Sequence, residues 1–273
     1  MSAGDDPRQI LRRFGLRPQK RWGQNFMVDR AAVERVVGAA QLAPTDSVLE
    51  IGPGVGTLTR RLVELAGDVV AVELDTQLLD ILRELFADTR NLRLIAGDIL
   101  AIDPATLFAS PYKVVANVPY YITSAILRHL LEASVRPSLL VLTVQREVAQ
   151  RIVSEGRSSL LSISIQFYGR PTIAGHIPAG AFYPTPKVDS AVLRVEVYPK
   201  PAIQVNDIDG FFRVVRAGFS APRKQLRNAL ANGLRRPAEY VAEALRAAGI
   251  EPSRRAETVS LEEWAAIYKR LSP

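Results

Sequence analysis

Asn117-Val118-Pro119-Tyr120 places a carboxamide and an aromatic ring close together on a stretch of chain bent by proline. A carboxamide oxygen can accept a hydrogen bond from an exocyclic amine, and a ring can stack on a flat base. Taken alone, an Asn-x-Pro-aromatic run is also ordinary turn chemistry. It follows the apolar run Val114-Val115-Ala116, which has the make-up of a buried strand. The weight of the tetrapeptide therefore depends on what the neighbouring strand ends supply.

Three earlier strand ends supply fitting groups. Glu50-Ile51-Gly52-Pro53-Gly54-Val55-Gly56 carries a strand into a helix through alternating glycines, which let backbone approach a ligand closely. The G-x-G-x-G spacing departs from the G-x-G-x-x-G of dinucleotide binders, and Pro53 removes one N–H from any pyrophosphate grip. A plain strand–turn–helix connection would produce the same run. Glu73 ends the next strand, 21 residues after Gly52, where an acid can bind both ribose hydroxyls; Leu74 follows it. The third strand ends in Gly97-Asp98-Ile99, where Asp98 can accept from an adenine amine beside an apolar face from Ile99. A lone strand-end Asp is usually a helix cap; three suitable strand ends in succession favour a nucleoside-bearing cofactor.

The elements that must position these groups alternate. Strands are expected at 47–51, 68–73, 92–95, 113–116 and 138–144, with helices at 57–66, 77–86 and 146–154 between them. That pattern predicts an α/β fold with a mostly parallel sheet. Segments 159–168 and 190–197 are read as strands pairing at one sheet edge. Beyond Tyr198-Pro199-Lys200-Pro201, segments 207–219, 223–233, 237–248 and 261–271 all carry helical patterns. The expected domains are a basic N-terminal arm (1–30), a catalytic domain (31–199) and a small all-helical C-terminal domain (200–273).

Composition narrows the chemistry. The 273 residues are 48% hydrophobic, enough for a substantial core. The absence of cysteine excludes disulfides, thiolate metal sites and cysteine nucleophiles and fits a reducing, cytoplasmic setting. With two histidines and no paired ligand spacing, no metal site is expected; no apolar run is long enough to span a bilayer, and no signal-peptide core is present. The net charge of +7 is uneven: residues 1–30 carry seven Lys/Arg against three acids, 31–199 carry fifteen against seventeen, and 200–273 carry thirteen against eight. Two basic ends on a near-neutral body suggest a polyanion partner. His129 and His176 read as structural residues, and Trp22 as either an RNA-stacking ring or part of a core or cofactor lid.

Glu50, Gly52, Gly54, Glu73, Asp98 and Asn117, in this order, resemble the motifs of class I S-adenosylmethionine-dependent methyltransferases, a Rossmann-like fold. The resemblance implies S-adenosyl-L-methionine as cofactor, with Glu73 on its ribose and Asp98 on its adenine. Asn-x-Pro-Tyr marks the members that methylate an exocyclic base nitrogen. Arg21-Trp22-Gly23-Gln24-Asn25-Phe26, the glycine loop, Asn117 to Ile122, Phe182-Tyr183-Pro184-Thr185-Pro186-Lys187-Val188-Asp189-Ser190, and Arg255-Ala256-Glu257 with Leu261-Glu262 recur in register. Together they resemble the small-subunit ribosomal RNA adenine dimethyltransferase family, from about residue 10 to 271. The resemblance implies N6,N6-dimethylation of two adjacent adenines near the 3′ end of 16S ribosomal RNA, within an immature 30S subunit, by a cytoplasmic monomer.

It further implies that Asn25 and Met27 join Gly52, Glu73, Leu74, Asp98, Ile99 and Asn117 around the cofactor. Asn117 and a backbone carbonyl at Val118 or Pro119 would take the amine, with Tyr120 and Phe182 facing each other across the base. Arg12, Arg13, Lys20, Arg21, Arg223, Lys224 and Arg227 would contact phosphates. Lys187 and Asp189 read as an ion pair shaping their loop. Two positions depart from the common pattern: Tyr121, where many members carry Asn, and Pro222, where a basic residue often precedes Arg223. The alternatives are the sister family that dimethylates an adenine of 23S ribosomal RNA, and a non-catalytic assembly factor.

Overall fold

The computed structural model describes residues 6–19, 22–154 and 156–271. Two compact units emerge. One takes the chain to Ala149 together with Arg170–Val197; the other takes Gln150–Gly169 and the chain from Tyr198.

In the first unit, α1 (Pro7–Arg13), β1 (Phe26–Met27) and α2 (Arg30–Ala40) precede the sheet. The α/β alternation then follows: β2 (Ser47–Ile51), α3 (Thr57–Leu65), β3 (Asp68–Glu73), α4 (Thr76–Leu85), β4 (Leu92–Ala96), β5 (Lys113–Ala116), α5 (Thr123–Glu132) and β6 (Leu139–Gln145). After α6 (Arg146–Val153) and α7 (Leu160–Tyr168), the chain returns through β7 (Gly169–Ile177), β8 (Phe182–Tyr183) and β9 (Ser190–Val197). The seven-stranded sheet has the order β4-β3-β2-β5-β6-β9-β7, and β1 pairs separately with β8. Strands β4, β3, β2, β5 and β6 run parallel; β9 is antiparallel to β6.

Val48, Leu49, Val114, Val115 and Ala116 are fully buried. Such near-continuous apolar runs are what a parallel sheet covered on both faces requires. Each buried Val or Leu side chain contributes about 1.5–3 kcal/mol. The strand order reverses between β2 and β5, so the crevice beyond their carboxyl ends is the natural ligand position of such a sheet.

One expectation is corrected. Residues 159–168 form the helix α7, not an edge strand, and they belong with the second unit rather than the catalytic domain. Ser159 and Ser162 make a reciprocal capping box at the helix start. Almost every α7 residue is buried, so the helix has no polar face, and periodicity cannot separate it from a buried strand. Within the basic N-terminal arm, whose local structure the sequence left open, α1 is anchored. Ile10 and Leu11 of α1 are buried in a cluster with Phe26, Val55, Leu78 and Ile81, while Arg12 and Arg13 stay exposed.

The second unit packs α7 with α8 (Ile208–Phe219), α9 (Leu226–Leu234), α10 (Ala238–Ala247) and α11 (Leu261–Leu271). Its core is aromatic: Phe167 stacks on Phe211 at 5.2 Å between centroids and meets Phe212 edge-on at 5.1 Å. Trp264 is fully buried against Gly218, where a Cβ would fall 2.2 Å from its ring.

Candidate active site

A cavity of about 1040 Å³, counting its open mouth, lies at the carboxyl ends of β2, β3, β4 and β5 in the first unit. Glu50, Gly52 and Gly54 line it from the first strand end, and Glu73 and Leu74 from the second. Asp98 and Ile99 come from the third, and Asn117 to Ile122 from the fourth. Gly23, Asn25 and Met27 reach it from the N-terminal segment. The expected cofactor residues Asn25, Met27, Gly52, Gly54, Glu73, Leu74, Asp98, Ile99 and Asn117 therefore share one cavity.

The glycine loop is shaped by sterics. Gly54 sits at φ +63°, and a Cβ there would come within 3.0 Å of the Phe26 ring; Gly56 sits at φ +85°, with Phe86 2.5 Å from its would-be Cβ. Only glycine meets both demands. Phe26, carried by β1, thereby covers the loop.

Glu73 is buried, and its two oxygens accept from the N–H groups of Gly54 and Asp75, each at 3.0 Å. Burial raises its pKa; the N–H groups of Asp75 and Gly54 work against that rise, and the Asp75 charge adds to it. Each carboxylate oxygen keeps a second acceptor site, suited to a pair of vicinal hydroxyls. Asp98 is exposed, with Oδ1 capping the Leu100 N–H at 2.9 Å. Its capping role and a ligand role are compatible, because Oδ2 remains.

Glu50 is 1% exposed, and its Oε2 has no hydrogen-bond partner among the described residues. Burial pushes its carboxyl up to about 8, the Thr59 hydroxyl opposes this without an aligned hydrogen bond, and Glu73 reinforces it. A buried orphan acceptor beside a cavity is costly unless a ligand completes it. Glu73 and Asp98 line the cavity with acceptors suited to a hydroxylated molecule, and the buried Glu50 carboxyl adds a negative charge only as it ionises near pH 8. S-adenosyl-L-methionine fits that donor set.

The N-terminal segment is tied across this cavity. Asn25 donates from Nδ2 to the Gly23 carbonyl at 3.0 Å, and its own carbonyl accepts from Asn117 Nδ2 at 2.8 Å. The Asn117 amide is thereby oriented, with its nitrogen engaged and Oδ1 left to accept. Gln24 Nε2 donates to Asp75 Oδ2 at 3.1 Å, anchoring the same segment to the α4 cap. The Gln24–Asp75 contact was not read from the sequence; an N-cap Asp gives no sign of a distant second partner.

At the turn, Tyr120 is half-buried and shares a 2.6 Å hydrogen bond with the buried Ser190 hydroxyl. Burial raises the Tyr120 pKa, with the Ser190 bond acting the other way. The Pro119 carbonyl accepts from Ile122 N–H at 3.2 Å and Thr123 Oγ1 at 3.4 Å. The Val118 carbonyl has no donor among the described residues. The Pro119 carbonyl is thus engaged by the turn, whereas that of Val118 is not.

Phe182 is corrected. It is 2% exposed, packs in the core with Met27 and Ile177, and does not line the cavity. Its strand pairs β1, with Met27 opposite Phe182, and alternation sends Phe182 inward and Tyr183 outward. Asp189 shapes its loop by accepting from the Ala179 N–H at 2.9 Å; among the described residues it forms no ion pair with Lys187. His129 holds the Ile102 carbonyl at 2.8 Å, a structural bond. Trp22 lines the cavity.

Of the expected phosphate contacts, Arg12 and Arg13 are exposed on α1, with Arg13 paired to Glu84. Lys20 and Arg21 lie outside the described residues. In the second unit Arg223 and Lys224 are exposed, and Arg227 is partly buried with its Nε unpartnered among the described residues. Among the described residues no cluster of metal-ligating side chains occurs, and no helix is long and apolar enough to cross a membrane.

Comparison with known proteins gives a consistent result. The family model described as ribosomal RNA adenine dimethylase matches residues 15–272. A protein named ribosomal RNA small subunit methyltransferase A from Dehalococcoides mccartyi is 47% identical over 262 residues, covering 94% of this chain and 89% of the relative. Its namesake from Moorella thermoacetica is 44% identical, covering 96% and 95%. Among solved structures, the 23S rRNA methyltransferase ErmE superposes with a TM-score of 0.72 at 30% identity, covering 91% of this chain and 100% of that one. A dimethyladenosine transferase from Plasmodium falciparum has a TM-score of 0.73 at 22% identity, covering 89% and 95%, a likeness of fold.

Proposed function

From the premise that the chain belongs to the ribosomal RNA adenine dimethylase family, we propose how its cavity carries out dimethylation. The protein is an S-adenosyl-L-methionine-dependent rRNA (adenine-N6,N6)-dimethyltransferase that acts on 16S ribosomal RNA. Its targets are two adjacent adenines near the RNA 3′ end, met by a monomer on an immature 30S subunit in the cytoplasm. Small-subunit relatives at 44–47% identity, against 30% for the 23S enzyme, favour this reading over the sister activity.

Bound S-adenosyl-L-methionine supplies an electrophilic methyl group on a sulfonium. Glu73 would bind the ribose hydroxyls through its free acceptor sites, Asp98 Oδ2 would take the adenine amine, and Ile99 and Leu74 would flank the purine. Asn25 acts through Asn117, setting the direction of its amide. An adenine stacked in RNA cannot reach a cavity of this depth, so the target base is extruded and laid against Tyr120.

Asn117 Oδ1 and the Val118 carbonyl then accept the two amine hydrogens. An adenine amine is a poor nucleophile because its lone pair is conjugated into the ring. Two acceptors on one side draw nitrogen toward a tetrahedral shape, aim its lone pair at the methyl group and stabilise the positive charge that develops. After transfer the ammonium proton is acidic and leaves to water, so no strong base is needed. The monomethyl product keeps one N–H, and the second transfer proceeds with one acceptor unpaired.

The observation that carries this reading is the Asn117 amide, held by the Asn25 carbonyl so that its oxygen is free at the cavity that Glu73 and Asp98 also line. The test is incorporation of labelled methyl from S-adenosyl-L-methionine into unmethylated 30S subunits, with the modified bases mapped. Dimethyladenosine in 16S RNA is expected. Binding without incorporation would identify a non-catalytic assembly factor, and incorporation into 23S RNA alone the sister activity.

A further inference from the structure

The turn that carries Tyr120 continues into a residue that the transfer chemistry leaves unused. Tyr120 and Tyr121 lie in one 3-10 turn and line the same cavity, yet their environments differ. Tyr120 is half-buried, with its hydroxyl held by Ser190. Tyr121 is 64% exposed, more than any other large apolar side chain that is exposed in the described residues. Its hydroxyl has no hydrogen-bond partner among them. One edge of the ring is fixed: a Cβ placed on Gly23 would meet Tyr121 Cε1 at 3.2 Å and Cδ1 at 3.4 Å, with Pro119 Cβ at 3.3 Å. Gly23, at φ +60°, thus leaves room for the ring to settle against the N-terminal segment.

A ring braced on one edge and otherwise open to water, at the mouth of a base-binding cavity, is placed for stacking. Extruding one base from single-stranded RNA exposes the face of its neighbour, and an aromatic side chain restores the lost contact whatever that base is. We propose that Tyr121 is this platform: it stacks on the base adjoining the target adenine while the target lies against Tyr120. The proposal rests on the base-methylating reading above.

The test uses the full-length protein with unmethylated 30S subunits and three variants, Tyr121→Ala, Tyr121→Leu and Tyr121→Phe. Thermal unfolding and the affinity for S-adenosylhomocysteine should stay within twofold of the parent, because the ring is exposed. The KM for subunits should rise about tenfold in the Ala and Leu variants, with kcat changed less than threefold, and the Phe variant should match the parent. An unchanged KM in the Ala variant would overturn the proposal. So would a tenfold loss of S-adenosylhomocysteine affinity at constant subunit KM, which would make Tyr121 a cofactor lid. Absence of methyl transfer by the parent protein would instead sink the reading beneath it, and the proposal with it.

Discussion

Replacing Glu50 by Gln tests the electrostatics of the cavity without altering the groups that touch the target base. The folded carboxyl titrates at about 8 against 4.5 for a free one, chiefly because it is buried. Between those values the folded state holds a proton that the unfolded state has lost, so stability falls as pH rises from about 4.5 through about 8 and levels above it. One pH unit corresponds to about 1.4 kcal/mol, so the loss reaches roughly 3 kcal/mol at pH 7 and roughly 5 kcal/mol above pH 8. Glutamine keeps the shape and abolishes the titration. The measurement is the unfolding free energy of both proteins in urea at pH 5, 7 and 9. Glu50→Gln should lie within about 1 kcal/mol of the parent at pH 5 and gain on it progressively by pH 9. Glu73, also raised by burial, contributes in both proteins and largely cancels in the difference. A difference between the two proteins that is the same at all three pH values would refute the reasoning, because Glu50 would then titrate alike folded and unfolded.

The same site gives a binding counterpart: S-adenosyl-L-methionine is cationic at sulfur and its demethylated product is not, so calorimetry should show their affinity ratio rising from pH 6 to 9 in the parent and rising less in Glu50→Gln, where only Glu73 still titrates upward; an equal rise in both would remove Glu50 from the effect. Asn117→Ala should lower kcat by about 100-fold or more for both methyl transfers while leaving S-adenosylhomocysteine affinity within about fivefold; activity within twofold of the parent would remove Asn117 from the mechanism. Gly54→Ala should weaken cofactor binding at least tenfold by isothermal titration, since the added Cβ meets Phe26 at 3.0 Å in a left-handed backbone; unchanged binding would show the loop can shift. Replacing Arg223 and Lys224 together by Ala should reduce the slope of log affinity for 30S subunits against log salt by about 2, and an unchanged slope would take both off the phosphate contacts.

How much of this was legible in the sequence follows from which interactions are local. The strand ends at Glu50, Glu73, Asp98 and Asn117 could be read because a parallel strand announces itself by a short apolar run and a sheet gathers its carboxyl ends at one edge. The Glu50 orphan could not be read, because burial is a property of the finished fold. Residues 159–168 were misassigned since a helix buried all round loses the polar stripe that marks it. Phe182 was misplaced for a related reason: in a two-residue strand, side-chain direction is set by the partner, and only pairing with Phe26 and Met27 turns Phe182 inward.

That pairing also joins two features that are far apart in sequence. β8 holds β1, β1 carries Phe26 over the glycine loop, and the segment before β1 supplies the carbonyl that orients Asn117. The position of the Asn117 oxygen, proposed to accept from the amine, thus depends on a strand that contributes no group to the cavity. Gln24 adds a second tether, to Asp75, whose N–H donates to the same Glu73 proposed to bind the ribose. Cofactor-binding and base-binding groups are therefore held by one N-terminal segment. Displacing that segment would therefore disturb the Asn117 amide and the Glu73 carboxylate together.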